Sequence, residues 1–565
     1  MIHRLRKLIP EVSGYRVLIA STGLGVLVGS SVAVFEYIAI EIVFHSLLEM
    51  PLYVRAAGPA VGLLLTYLLL HVVGGNASPA TSEHYVSEFH SRTPSFSFRR
   101  LVARMSGGVA TIGFGGAVGL EGPSIYLGSA LGHYIYRPLE KFLGRGATQQ
   151  LLTAGAAAGV AAIFQAPATG MIFAMESPYR DDIAHRTILP SLVASASSFL
   201  TFVSMPFIHE ASVVDFAVDR AVGTGELVGA VAVGVGAGFG GRAFAWFIRQ
   251  AKALSKRVES VRLVIAGGAA LAVLAVLSDE VFGEPLTLGP GITVFEWLDT
   301  TPTTRLLVAL FFFRAAATLT TVGARGVGGL FIPLAVQGVL LGRIVGNGLD
   351  KIGLGNAEDI RLWPILGLAA FLAAGYRTPI AAVMFVAEST GGTAVVPALI
   401  AAAVSQLVAG QASVSLAQRQ ERLGGLESRL TLPIASAMET DVLAVPPDAT
   451  ISEFVFIHAL GNRQPAVPVV DADNRYLGMC TIHDATSVPR ADWETTVVTE
   501  ILVPNGHQAS PGWSIRDAVA AMGHNGSEIL VVTDDSDRFV GIVRESEIVK
   551  LDEILMETET GEASA

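Results

Sequence analysis

From about residue 14 to residue 412 the chain is a succession of apolar stretches, among them Tyr15 to Phe44, Leu52 to Val73, Leu151 to Met175, Leu227 to Phe247, Leu263 to Leu277, Leu306 to Ala317 and Ala394 to Ala409. Segments of this length and character read as membrane-embedded helices. In lipid every backbone N–H and C=O must find its partner inside the protein, which makes the α-helix the spanning element for such a pattern. Many stretches are short or broken by Gly and Pro, which favours tilted, re-entrant and half-spanning helices over a plain row of spans. With 51% hydrophobic and 15% charged residues in 565, the composition is that of a polytopic membrane protein with a soluble appendage. A net charge of -11 disfavours a nucleic-acid partner.

The apolar stretch after His3, Arg4, Arg6 and Lys7 is long and lacks a small-residue cleavage site, so no cleavable signal is expected. Those residues, with Arg99, Arg100 and Arg104, and with Arg249, Lys252, Lys256 and Arg257, predict a cytoplasmic N-terminus by the positive-inside bias, and the C-terminus is expected on the same side. A multi-pass protein of a prokaryotic inner membrane is the expectation. The single cysteine, Cys480, excludes an intramolecular disulfide and fits a reducing compartment for the C-terminal region.

The chain repeats itself at two scales. PATGMIFAMES (Pro167 to Ser177) returns as PIAAVMFVAES (Pro379 to Ser389) with Pro, Phe, Glu and Ser all offset by 212, and GLEGP (Gly119 to Pro123) returns as GLFIP (Gly329 to Pro333) offset by 210. Two motifs in one order indicate a duplicated membrane domain, whose substrate site belongs at the interface of the halves. Beyond Pro433, VPVVDADNRYLG (Val467 to Gly478) is echoed by ILVVTDDSDRFVG (Ile529 to Gly541), with Arg475 and Arg538 offset by 63. Thr450-Ile451 and Ser514-Ile515 open an amphipathic helix ahead of each copy, and each unit reads helix, strand, turn, strand, helix.

Glu121 is the only charged residue between Arg104 and Arg137, in a stretch with nine glycines from Gly107 to Gly132. A carboxylate there costs several kcal/mol unless a cavity, an ion or a proton compensates it, which makes it a functional-site candidate. Glycine-rich turns followed by helix, at GLEGPSIY and GLFIPLAV, aim backbone N–H groups at one place, with Pro123 and Pro333 in a first turn where a missing donor costs little. That arrangement favours a dehydrated anion. No His, Cys and acid spacing suggests a metal site, and no nucleophile elbow or phosphate loop suggests an enzyme.

These residues resemble the CLC family of chloride channels and transporters across nearly the whole chain. GLEGP is similar to its GREGP or GKEGP signature, GGLFIP to GxFxP, and the segment ending APATGMIFAMES also matches. The resemblance implies a homodimer with one anion path per subunit, chloride as substrate ion, no required cofactor, and Glu121 as a gate whose carboxylate mimics the anion. It implies an anion site made by the backbone amides of Gly122, Leu330 and Phe331, with Asn76 of GNASP (Gly75 to Pro79) where the family has a serine, and Ser415 of GQASVSLAQ where it has a tyrosine. A serine is several ångströms shorter, so the inner gate is expected to be wider unless another element fills it. The family's internal proton-accepting glutamate falls on Ser177. Its neighbour Glu176 is a candidate replacement on the proton path, although its repeat twin Glu388 suggests that both acids pack helices. Arg314 is expected to satisfy carbonyls between helices. Loss of the internal acid and the tyrosine favours a voltage- or pH-gated channel or weakly coupled pathway. The alternatives are a proton-coupled chloride antiporter and a nucleotide sensor with vestigial transport.

The C-terminal units resemble paired CBS domains. GMCTIHD (Gly478 to Asp484) is similar to the stretch that contacts the ribose of ATP, ADP or AMP in nucleotide-binding pairs, which makes Thr481 and Asp484 the candidates for an adenine nucleotide. The second copy reads GIVRESE, with Arg544 and Glu547 at those places. The expected fold is an all-α polytopic membrane domain with duplicated halves and broken helices (1–424), a linker (425–433), an α/β CBS pair (434–490 and 497–552) and an acidic tail (553–565).

Overall fold

The computed structural model describes residues 12–91, 93–144, 147–208, 223–258, 260–353, 361–420, 430–461, 464, 466–503, 508–525 and 528–551. The N-terminal basic cluster, residues 425–429 of the expected linker and the acidic tail lie outside the described residues. The chain divides into two units, Met1–Arg422 and Leu423–Ala565.

The first unit is helical, and eight of its described helices are long and apolar enough to cross a membrane. In chain order the first half holds α1 (Val12–Glu36, continued by a π-helical segment Tyr37–Phe44), α2 (Leu52–Leu68), α3 (Ser82–Phe89), α4 (Phe98–Gly113), α5 (Glu121–Leu143), α6 (Ala147–Phe164), α7 (Pro167–Glu176) and α8 (Ile188–Val203). The second half holds α9 (Thr224–Arg257), α10 (Ser260–Phe282), α11 (Ile292–Leu298), α12 (Thr304–Gly323), α13 (Phe331–Lys351), α14 (Leu362–Tyr376), α15 (Pro379–Thr390) and α16 (Val395–Ala409). Equivalent neighbours pack in both halves: α5 on α6 as α13 on α14, and α1 on α8 as α9 on α16. The duplication read from two motifs therefore runs through the domain.

Glycine sets the closest of these crossings. A Cβ on Gly128 would meet the Gly155 carbonyl oxygen at 1.9 Å, and one on Gly338 the Gly367 carbonyl oxygen at 2.4 Å, so α5 and α6, like α13 and α14, touch backbone to backbone. In lipid, where burial of apolar surface does not drive helices together, such close approach supplies the dispersion contact that does. α14 is buried all round, and α6 nearly so, which makes them the centre of their halves.

The second unit carries two antiparallel hairpins, β2–β3 (Ala466–Val470 and Tyr476–Thr481) and β5–β6 (Ile529–Thr533 and Phe539–Arg544), with β1 (Met438–Glu439) beside β6 and β4 (Gln508–Ala509) parallel to β5. In each hairpin turn an aspartate folds the chain back on itself. Asp471 Oδ1 accepts from the N–H groups of Asp473 and Arg475, and Asp534 Oδ1 from those of Ser536 and Arg538. The two turns also bind each other, Tyr476 N–H donating to Asp537 O at 3.0 Å and Phe539 N–H to Asn474 O at 2.9 Å. Matching cores around Val467 and Cys480 and around Leu530 and Val543 complete a pair of like units.

Candidate functional site: two glycine turns around a buried acid

The turn before α5 and the turn before α13 exchange hydrogen bonds reciprocally. Gly119 N–H donates to Gly329 O at 2.9 Å and Gly329 N–H to Gly119 O at 2.7 Å. Ala117 N–H donates to Thr321 Oγ1 at 3.2 Å, and Val327 N–H to Thr111 Oγ1 at 3.0 Å. Gly119 and Gly329 are counterparts at the offset of 210, and the same offset turns Ala117 and Thr111 into Val327 and Thr321, so each bond has its mirror and a local two-fold axis relates the turns and brings the N-termini of α5 and α13 to one point. Each N-terminus contributes unpaired N–H groups and the positive end of a helix dipole.

Glu121, the first residue of α5, is fully buried there. Its Oε1 accepts from Phe331 N–H at 2.5 Å, and its Oε2 has no hydrogen-bond partner among the described residues. Gly119, Gly122 and Gly329 leave the room it needs. A Cβ on Gly119 would stand 1.9 Å from Glu121 Oε2, one on Gly329 2.0 Å from Oε1, and one on Gly122 2.6 Å from Thr81 Oγ1. The carboxylate thus occupies the place where two helix N-termini would hold a small anion. Leu330 N–H donates to the Tyr376 hydroxyl oxygen at 3.3 Å.

Glu121, Gly122, Leu330 and Phe331 are therefore brought together, while Asn76 is not. Asn76 is exposed and lines a separate cavity with Tyr67, His71 and Arg325. Gly75 and Asn76 both take left-handed backbone (φ 60° and 61°), which turns the chain before the helix that points at the site, α3, begins at Ser82. Thr81, against Gly122, and Ser82, on the wall of two cavities, come to the site instead. Their signal is a Thr-Ser pair opening a short helix, which the GNASP match obscured.

Ser177 and Ser415 line one small cavity with Ser82, Tyr85, Phe173 and Tyr376. Both serine hydroxyls are buried without a hydrogen-bond partner among the described residues. Tyr376, which no sequence motif singles out, bounds the same cavity. Glu176 is committed elsewhere: its carboxylate accepts from Ile380 N–H at 3.1 Å and Ala381 N–H at 2.9 Å, at the start of α15. Glu388 does the reciprocal at the start of α7, accepting from Ala168 N–H at 2.9 Å and from Thr169 N–H and Oγ1 at 2.8 and 2.6 Å. Both acids accept from backbone donors at a helix start in the other half. Arg314 is buried and donates to the carbonyls of Leu286, Leu288, Gly289 and Pro290.

On one side the site meets a cavity lined by Ser82, Glu83, Lys252, Lys256, Arg325 and Leu330. Lys252 Nζ binds Glu83 Oε1 at 2.7 Å and Val414 O at 2.9 Å, which ties α3, α9 and the segment before Ser415 together. With Lys252 balanced by Glu83, Lys256 and Arg325 leave this wall net positive, which gives an approaching anion a favourable potential.

In the second unit Thr481 and Asp484 form a capping box, Thr481 N–H and Oγ1 both meeting Asp484 Oδ2 and Asp484 N–H returning to Thr481 Oγ1. Arg544, at the equivalent place of the second copy, pairs with Glu439 at 3.3 Å. Among the described residues no group of His, Cys, Asp and Glu has a metal-binding arrangement.

A duplicated bundle of broken helices whose paired N-termini meet an acid at the interface of its halves defines an ion-path membrane protein. Residues 61–410 match the family model for voltage gated chloride channels, and residues 434–490 and 498–553 each match the CBS domain. The chain belongs to the CLC family of chloride channels and transporters, and carries a C-terminal CBS pair. A protein of Ralstonia nicotianae described as a ClcB-like chloride channel protein is 25% identical over 372 residues, 64% of this chain and 84% of that one. Among solved structures, a slow cyanobacterial Cl-/H+ antiporter superposes with a TM-score of 0.62 at 20% identity, over 70% of this chain and 94% of its own. A CLC-type fluoride/proton antiporter gives 0.62 at 21%, over 73% and 100%. A eukaryotic CLC transporter gives 0.57 at 19%, over 94% and 98%. The last three are likenesses of fold.

Proposed function

We propose that this protein carries chloride across the membrane along a path in each subunit of a homodimer, gated by Glu121, as a voltage- or pH-gated channel or a weakly coupled pathway. The observation that carries the reading is the Glu121 carboxylate held on the Phe331 amide. A negative group sits at the meeting point of two helix N-termini, so an anion entering that point competes with it, and protonation or displacement of the side chain clears the path. Weak coupling follows from the fate of the inner acids, since Ser177 carries no proton at neutral pH and both Glu176 carboxylate oxygens are engaged by α15.

The antiporter reading draws support from the cavity where Ser82, Ser177, Ser415 and Tyr376 converge, because hydroxyls can relay a proton through water. Two of the similar folds are named as proton-coupled antiporters. Flux from the purified protein in liposomes, with and without a proton gradient, separates the readings: a reversal potential that follows the proton gradient establishes exchange, and one fixed by chloride alone establishes conduction. In the same assay Glu121→Gln and Glu121→Ala are expected to make chloride flux nearly independent of pH. Unaltered pH dependence in both variants overturns the gate.

A further inference from the structure

Tyr376 closes α14, and its position is set from several sides. Its ring lies edge-on to Phe173 with centroids 5.4 Å apart and is 5% exposed. Its carbonyl accepts from Gln418 Nε2 at 3.0 Å, and the Gly375 carbonyl from Val414 N–H at 2.8 Å, so the end of α14 is also the anchor of the segment that holds Ser415. Its hydroxyl oxygen accepts from Leu330 N–H, the donor adjacent in sequence to the one that Glu121 occupies. The same side chain borders the cavity of Ser82, Ser177 and Ser415.

The duplication sharpens the point. At the offset of 212 the twin of Tyr376 is Phe164, and the residues that follow, Gln165 and Arg377, share left-handed backbone at φ 51° and 58°. Phe164 packs on the Phe331 ring, centroids 4.3 Å apart, and offers no polar atom. Two equivalent rings thus face the site from the two halves, and only the one on the Ser415 side bears a hydroxyl. A phenol offers one donor and can accept at the same oxygen. An anion that takes the Leu330 and Phe331 amides would release that oxygen from Leu330 and become the acceptor for its O–H.

Resting on the anion-path reading above, we propose that Tyr376 supplies the hydroxyl that binds the transported anion on the side Ser415 leaves open, and so sets its anion selectivity. A hydroxyl donor favours a charge-dense anion such as chloride over a diffuse one such as thiocyanate, because the hydrogen bond strengthens with charge density at the acceptor. Removing the oxygen and keeping the ring should therefore weaken discrimination.

The test uses the full chain in liposomes and measures chloride and thiocyanate flux for wild type, Tyr376→Phe and Tyr376→Phe with Ser415→Tyr, with chloride titrated calorimetrically into the detergent-purified proteins. Tyr376→Phe is expected to weaken chloride binding about tenfold, the worth of one hydrogen bond to a charged group, and to raise the thiocyanate-to-chloride flux ratio by a similar factor. The double variant returns a hydroxyl to the same cavity and is expected to recover most of the ratio. An unchanged flux ratio together with unchanged chloride affinity in Tyr376→Phe overturns the proposal, as does a lowered melting temperature with both left intact, which marks a purely structural ring. Wild-type protein with no chloride flux above empty vesicles sinks the anion-path reading itself, whereas normal wild-type flux with an unaffected Tyr376→Phe sinks only this inference.

Discussion

Glu121 and Phe331 are the same position in the two halves of the membrane domain, 210 residues apart, and the carboxylate of the first accepts from the backbone N–H of the second. Around them the two-fold relation is kept, in the paired glycines Gly119 and Gly329 and in the crossed bonds of Thr111 and Thr321. It breaks where one half has an acid and the other a phenyl ring. A symmetric pair of acids would repel in so small a space, and a symmetric pair of rings would leave helix N-termini facing apolar surface. One of each gives a single negative group shared by two helix N-termini, which is what a displaceable gate requires.

Gly119 tests this without touching the acid. A methyl group there meets the Glu121 carboxyl and, at the shortest distances, nothing else, and the backbone at Gly119 is not in the left-handed region. Gly119→Ala should therefore push the side chain off the Phe331 amide while the turn survives. The expected result is a flux that resembles that of Glu121→Gln, with pH dependence largely lost and stability within about 1 kcal/mol of wild type, the usual range for a substitution that fits its backbone. Flux across a pH series, with melting temperature as the control, checks it; retention of the wild-type pH profile would falsify the steric argument.

Glu176 and Glu388 each cap the other half's helix. Such a carboxylate satisfies two orphan donors at the start of α15 or α7, and loss of a helix cap costs roughly 1–2 kcal/mol. Glu176→Ala and Glu388→Ala should each lower the melting temperature in detergent by a similar margin and leave the pH profile of flux as it was. If Glu176→Ala instead abolishes coupling to a proton gradient while Glu388→Ala does not, the capping role is insufficient and Glu176 belongs to a proton path.

Much of this was legible in the chain before any coordinates. The duplication, the isolated acid and the glycine turns are written in residue identity, because a repeat that must fold twice around one axis keeps its Gly, Pro and capping Glu in register. The hydroxyls at the site were not. The left-handed turn at Gly75 and Asn76, inside GNASP itself, points Asn76 away from the site, and Thr81 and Ser82 at the start of α3 lie beyond the motif, so its register no longer measures distance to the site. Tyr376 comes to the site from the far end of α14, 39 residues before Ser415, and only the tertiary docking of residues 413–418 on that helix end brings the two to one cavity. Comparing the halves residue by residue would have exposed it as the place where a phenyl becomes a phenol.

Ser415→Tyr probes the same cavity from its other wall. Tyr85, Phe173 and Tyr376 already narrow it, so an added ring has little free volume and must stand in the path. Turnover is expected to fall about tenfold, equivalent to roughly 1.4 kcal/mol on the barrier. Single-vesicle or bulk chloride efflux measures it, and a rate equal to or above wild type shows that the path does not pass Ser415.

Cys480 offers a reading of the CBS pair. It lies on β3 within the GMCTIHD stretch, is fully buried, and burial pushes its thiol up to about 12, with Asp484 adding in the same direction. A thiol in that state is unreactive at neutral pH unless the hairpin opens. Maleimide labelling should therefore be slow in the folded protein and fast in denaturant, and its native rate reports opening of the hairpin beside Thr481 and Asp484. If an adenine nucleotide binds there, it stabilises the closed form by mass action, and saturating ATP should slow labelling by about the ratio of its concentration to Kd. Thr481→Ala removes a hydroxyl from the capping box and should abolish that protection while raising the basal rate a few-fold, as expected for a lost cap of about 1 kcal/mol. A labelling rate indifferent to ATP, ADP and AMP assigns the pair a structural role alone.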